Sequence, residues 1–122
     1  MDEPLELTLG ELKQRFEHHA HHMVLECGGN GRAFFDPPAR GNQRTNGGGG
    51  CGEWTGVRLA DVLRAAGLKP NAFYTAHYGI DEHLSGEAGR LTLSRGVPIE
   101  KALEEHGLIV WAMNGEDLPN IH

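Results

Sequence analysis

Nine consecutive residues, Val24-Leu25-Glu26-Cys27-Gly28-Gly29-Asn30-Gly31-Arg32, concentrate more chemistry than any other stretch of this chain. An apolar run delivers Cys27 onto a bend whose glycines permit positive φ and a close approach of backbone to a ligand. A thiolate is a soft donor suited to a soft metal centre. Arg32 would favour the thiolate, and its planar fork of donors fits an oxyanion. Asn30 can bond the backbone of its own bend. The competing reading is a buried structural cysteine beside a turn, because free cysteine packs as a small hydrophobe.

A second cluster, His18-His19-Ala20-His21-His22, invites a metal reading. His18 with His21, or His18 with His22, could share a helical face and bind zinc, nickel or copper. The plainer alternative is an imidazole-rich junction between helix and strand. Cys27 and Cys51 could close a disulfide loop of roughly two dozen residues. A bonded Cys27 could not ligate a metal, so both thiols are expected free. No CxxC pair exists, which excludes a standard zinc ribbon. Neither a Walker lysine nor a GxSxG elbow appears. Asp81-Glu82-His83 and Glu104-Glu105-His106 read as solvated surface.

The elements that must position these residues can be read in outline. Thr8 to Phe16 is expected to be an amphipathic helix, with Leu9, Leu12 and Phe16 on one face and a capping box from Thr8 to Glu11. Met23 to Glu26 reads as a strand ending at the Cys27 bend. Arg32 to Trp54, with Pro37, Pro38 and four glycines from Gly47 to Gly50, is expected to be a long loop with little local order. Val57 to Ala66 has helical spacing and Gly67 at its C-terminal cap. Phe73 to Tyr78 reads as a strand, Ile99 to Glu105 as a helix introduced by Pro98, and Leu108 to Met113 as a buried strand. Asn114-Gly115 reads as a tight hairpin turn. Strands and helices mix without a regular βαβ period, so the fold class is α+β.

Val24 to Arg32 resembles the molybdenum-ligand segment of the sulfite oxidase family, bacterial sulfite dehydrogenases included. Three further stretches agree in order. Glu53-Trp54-Thr55-Gly56-Val57-Arg58-Leu59-Ala60-Asp61-Val62-Leu63 resembles the family's W-x-G-x-x-L-x-D-V-L helix. Ser94-Arg95-Gly96-Val97-Pro98-Ile99 resembles its S-I-P-L helix start. Met113-Asn114-Gly115-Glu116-Asp117-Leu118-Pro119, with His122, resembles M-N-G-x-x-L-P-x-x-H.

The resemblance implies a partial sulfite-oxidase-type molybdopterin-binding fold, a mixed sheet with short helices. Residues 1–122 would be the central part of that domain, its N- and C-terminal portions lying outside this chain. It implies a molybdenum–molybdopterin cofactor, with Cys27 as metal ligand and Arg32 as an anion contact. Asn30 and His122 match cofactor-binding positions, the histidine as a pterin contact. The implied activity is oxygen-atom transfer to sulfite or a related small oxyanion, with a cytochrome or other electron acceptor. This chain alone is expected to be weakly active or inactive. A homodimer is compatible with the full-length protein, since relatives carry a dimerisation domain. Leu93 stands where the family carries a tyrosine near the metal, which removes a hydroxyl that assists substrate binding and electron transfer in relatives.

Bulk properties set the outer bounds. The chain has 122 residues and a mass of 13.3 kDa, one domain at most and long enough to bury a respectable core. A net charge of −6 and a pI near 5.7 disfavour nucleic acid and anionic membranes as partners. No apolar run approaches the ~20 residues that span a bilayer. Met1-Asp2-Glu3-Pro4 lacks the apolar region of a secretory signal, so the chain as it stands reads as cytoplasmic, although relatives are often periplasmic. The alternative function is a divalent-metal-binding module without catalysis, formed by the histidine cluster with Cys27 or Cys51. A third reading is an inert remnant that keeps the fold and binds nothing.

Overall fold

A computed structural model describes residues 4–83, 85–90 and 92–119. His122 lies outside the described residues, as do residues 120–121. In chain order the elements begin with α1 (Leu9–Arg15), β1 (His18–Glu26), a single 3-10 turn (Arg32–Phe34), β2 (Gly49–Arg58) and α2 (Leu59–Ala65). They continue with β3 (Tyr74–Tyr78), β4 (Ser94–Pro98), α3 (Ile99–Ala102), β5 (Leu108–Met113) and β6 (Glu116–Asp117). Mixed strands and short helices bear out the α+β class. Among the described residues no helix is long and apolar enough to cross a membrane.

The chain divides into two compact units. The first comprises the residues up to His18 together with Val57–Ile109. Its helix α1 starts where the sequence says it should. The Thr8 side chain accepts from the Glu11 backbone N–H at 3.2 Å, and Glu11 Oε2 accepts from the Thr8 N–H at 2.8 Å. Leu12 is buried on the inner face of α1, and Val57, Ala60 and Ala102 are buried in the same unit. Helix α2 closes at Ala66, and Gly67 follows with φ +76°, the left-handed geometry that suits glycine after a helix. Pro98 is the N-cap of α3, which is shorter than the spacing predicted and ends at Ala102. The Leu59 N–H donates to Gly107 O at 2.8 Å.

Strand β4 was not expected, since Ser94-Arg95-Gly96-Val97-Pro98 carries a glycine and a proline. It forms because β3 supplies a partner: the two run antiparallel with Tyr74 opposite Pro98 and Ala76 opposite Gly96. The Tyr74 ring lies where a Cβ on Gly96 would stand. An aromatic thereby covers the bare glycine of the neighbouring strand.

The second unit comprises His19–Gly56 and the chain from Val110 onward. Four strands form one sheet in the order β1-β2-β5-β6. The Asn114-Gly115 turn joins β5 to β6 with φ +53° and +80°, as the sequence predicts. Its Asn114 N–H donates to Glu53 O at 2.8 Å, and Asn114 Oδ1 accepts from the Glu53 N–H at 2.9 Å. Trp54 Nε1 donates to Met23 O at 3.1 Å. Trp111 and Ala112 are buried.

Two expectations are corrected in this unit. The loop predicted over Arg32 to Trp54 ends early, because β2 begins at Gly49 inside the glycine run. Pairing with neighbouring strands overrides the weak strand propensity of glycine there. The histidine cluster belongs wholly to β1, which starts at His18, and not to a helical junction. Successive side chains therefore alternate between faces. His19 and His21 share one face, with rings stacked at 6.3 Å between centroids and 5° between planes. His18 and His21 point to opposite faces. His18 and His22 share a face but stand roughly 13 Å apart along the strand.

Candidate cofactor-ligand site

Cys27 stands one residue past the end of β1, at the start of a turn that the Asn30 N–H closes onto Cys27 O at 2.9 Å. Its thiol is exposed and free, as is that of Cys51. The expectation that the two are not bonded to each other holds. The Gly29 N–H points at Cys27 Sγ, 3.4 Å away. The Cys27 N–H donates to Gly48 O at 2.7 Å. The sulfur is thus presented outward by a backbone tied on both sides of it, and the buried structural cysteine of the competing reading is not what the structure shows.

The rest of the bend is anchored to the segment that leads into β2. The Gly31 N–H donates to Thr45 O at 2.6 Å, and the Ala33 N–H to Arg44 O at 3.0 Å. Asn30 bonds with both ends of its amide: Nδ2 donates to Glu26 Oε1 at 2.6 Å, and Oδ1 accepts from the Gly48 N–H at 3.1 Å. The expectation that the Asn30 side chain bonds the backbone of its own bend is corrected: its backbone partner is Gly48, eighteen residues on, and its other partner is the Glu26 carboxylate. Arg32 is half-buried, and its Nη1 donates to Asn42 O at 3.4 Å. A Cβ on Gly29 would fall 2.8 Å from Arg32 Nη2, and one on Gly41 would collide with Nη1. The guanidinium therefore lies close against the backbone of both glycines. Cys27, Asn30 and Arg32 come together on one bend.

Gly41 and Thr45 complete the bend and were not singled out in the sequence, while Glu26 and Gly48 were named there without a role. The one available signal was the glycine run itself, since Gly47 has φ +88° and Gly48 is approached closely by Asn30. The histidine run forms no comparable centre. His22 Nε2 lies 3.8 Å from Glu53 Oε2 on the exposed surface, and His18 Nε2 is 2.7 Å from Lys13 O. Among the described residues no group of three or more His, Cys, Asp or Glu side chains is placed to hold a metal ion.

Residues 1–122 match the family profile of the oxidoreductase molybdopterin binding domain. The chain belongs to that family. The family's cofactor is molybdenum–molybdopterin, and its fold is the one described above. This molybdopterin-binding chain is 31% identical to sulfite oxidase of Gallus gallus, over 97% of its own length and 26% of that protein. It is 29% identical to the mitochondrial sulfite oxidase of Rattus norvegicus, over 97% of the chain and 22% of that protein. Among solved structures, the sulfane dehydrogenase SoxCD of Paracoccus pantotrophus superposes with a TM-score of 0.71 at 29% identity. That superposition covers 95% of this chain and 28% of the other. The chain therefore spans about a quarter of the length of the relatives it matches.

The bend fits the cofactor that the family implies. A metal ligand must be reachable, and the Cys27 thiol is exposed. It must also be soft to suit a thiophilic centre, which a sulfur donor is. It must be held, and its own N–H and C=O are both hydrogen-bonded.

Proposed function

We propose that this chain supplies the molybdenum-ligating part of a sulfite-oxidase-type oxidoreductase, with Cys27 as the protein ligand. The carrying observation is an exposed, unbonded sulfur on a fixed bend in a chain of this family. When bound, the molybdenum centre supplies oxygen-atom transfer with release of two electrons. The chain's own residues do the holding. Cys27 donates the thiolate, and the Gly29 N–H supports the sulfur. Arg32 brings a delocalised positive charge to the bend, by which a small oxyanion or a phosphate of the cofactor is drawn in. His122 contacts the pterin in this reading.

The substrate is sulfite or a related small oxyanion. Conversion of sulfite to sulfate with water releases two electrons and two protons, and a cytochrome or another acceptor takes the electrons. The printed name of the curated relatives, sulfite oxidase, supports sulfite as the substrate.

The test is metal content. The protein is produced in a molybdenum-replete host that makes the cofactor, then analysed by mass spectrometry for molybdenum. The natural sequence is expected to carry molybdenum, and Cys27→Ser to fall to background, with the two metal-free proteins unfolding alike. Equal molybdenum in both proteins would remove Cys27 from the role. Sulfite-dependent reduction of a cytochrome then examines the substrate.

A further inference from the structure

We propose that Asn30 and Glu26 are positioning residues for the Cys27 sulfur, acting through a closed ring of hydrogen bonds with Gly48. The proposal rests on the reading of Cys27 as metal ligand and adds the device that aims it. Three bonds close the ring. The Cys27 N–H donates to Gly48 O at 2.7 Å. The Gly48 N–H donates to Asn30 Oδ1 at 3.1 Å. The Asn30 N–H returns to Cys27 O at 2.9 Å. Both backbone polar groups of the cysteine are members, so the ring fixes the direction of its Cα–Cβ bond.

Glu26 holds the ring from outside. Its Oε1 accepts from Asn30 Nδ2 at 2.6 Å, a charge-assisted bond that dictates which end of the amide faces Gly48. Turned the other way, Asn30 would present an NH2 to the Gly48 N–H and the ring would open. Gly48 is the residue that permits the approach, since a Cβ there would come within 3.1 Å of Asn30 Oδ1. The Asn30 amide is thus committed within the protein, and its part in cofactor binding runs through the sulfur it positions.

The pair can be reversed chemically. Asn30→Asp alone sets two carboxylates against each other where 2.6 Å now separates an amide from a carboxylate. Adding Glu26→Gln restores a donor and an acceptor with their roles exchanged, and leaves an acceptor for the Gly48 N–H. Hydrogen exchange of the Gly48 amide is measured in metal-free natural protein, both single variants and the double. Asn30→Asp is expected to exchange Gly48 at least about tenfold faster, the equivalent of roughly 1.4 kcal/mol. The double is expected to return to within about threefold of the natural rate.

A double as fast as the single, or an Asn30→Asp protein that exchanges like the natural one, overturns the ring. If Asn30→Asp does not fold, a folded double supports the proposal, while an unfolded double beside a folded Glu26→Gln overturns it. Molybdenum content of the same proteins, produced as above, should fall in Asn30→Asp and recover in the double. Unchanged content despite fast Gly48 exchange overturns the positioning role. Molybdenum retained in Cys27→Ser would instead sink the ligand reading itself, with the exchange pattern still deciding the ring.

Discussion

The Cys27 bend and the described residues from Gly79 to Thr92 are both glycine-bearing turn regions, yet they are held in different ways. The bend is tied at a distance. Asn30 reaches Gly48, Gly31 reaches Thr45, Ala33 reaches Arg44 and Arg32 reaches Asn42. Among the described residues of 79–92, the side-chain ties are mostly to near neighbours. His83 Nδ1 pairs with Ser85 Oγ at 2.8 Å, and Arg90 Nη1 donates to Glu87 Oε2 at 2.8 Å. Longer bonds, from the Gly79 N–H to Leu93 O at 3.1 Å and from Thr92 Oγ1 to Asp81 O, span its base. Local ties follow the chain when it moves, whereas distant ties fix one point of the molecule against another. A ligand atom needs the second kind, because small displacements of a bound group are costly.

Alanine at two left-handed glycines should separate the two regions most widely. Gly41 has φ +109° and Gly86 φ +71°, so a Cβ is strained at both. At Gly86 nothing lies within 4 Å of that Cβ, whereas at Gly41 it meets the Arg32 guanidinium. Gly86→Ala is expected to cost about 1 kcal/mol, the left-handed penalty less what alanine removes from the unfolded state. Gly41→Ala adds the displacement of a half-buried arginine and is expected to cost roughly 2–4 kcal/mol. Denaturant unfolding of the two variants measures the gap. Equal costs would mean that the bend is no more firmly held than the 79–92 segment.

The same division decides what could be read from the sequence. The capping box of Thr8 and Glu11, the glycine after α2 and the Asn114-Gly115 turn are set by neighbours within a few residues, and each stands where its residues predict. The Cys27 bend was visible as glycines around a cysteine. Its anchors were not, because nothing near Asn30 in the chain names Gly48 as the acceptor's partner. Strands β4 and β2 were missed for the same reason, β2 having been read as loop to Trp54 and as helix from Val57. Glycine and proline argue locally for loop, and only the partner strand makes those segments extended. The histidine run shows the converse error. Its spacing suits one face of a helix, but a strand splits it between two faces, and sheet pairing decided which applied.

The capping box offers an intermediate case, a local tie that nonetheless starts an element with a buried face. Thr8→Ala removes the acceptor of the Glu11 N–H and is expected to cost about 1 kcal/mol. The two hydrogen bonds from Thr8, backbone first and hydroxyl second, hold the Glu11 carboxyl below the usual carboxylate range. A folded-state value below the unfolded one contributes stability that is present above the unfolded value and lost as pH falls through the folded one. The penalty of Thr8→Ala should therefore shrink on acidification below the ordinary glutamate range. Urea unfolding at neutral and acidic pH reads it. A penalty that is constant across that range would show that the hydroxyl–carboxylate bond contributes nothing to the cap, since the bond from the Thr8 backbone N–H is kept in the variant.

The smallest effect belongs to the 79–92 segment itself. Ser85 Oγ pairs with His83 Nδ1 and accepts from the Glu87 N–H at 3.4 Å, but the Ser85 backbone N–H already donates to the same His83 nitrogen at 3.0 Å. Removing the hydroxyl leaves that backbone bond in place, and Ser85 is exposed, so water takes over the lost contacts. Ser85→Ala is expected to change stability by no more than about 0.5 kcal/mol. The contrast with Asn30 is the point of the measurement, since both side chains carry two hydrogen bonds on a turn. If distance along the chain is what gives a tie its value, the serine is dispensable and the asparagine is not. A Ser85→Ala penalty as large as that of Gly41→Ala would show instead that the 79–92 segment is cooperatively built.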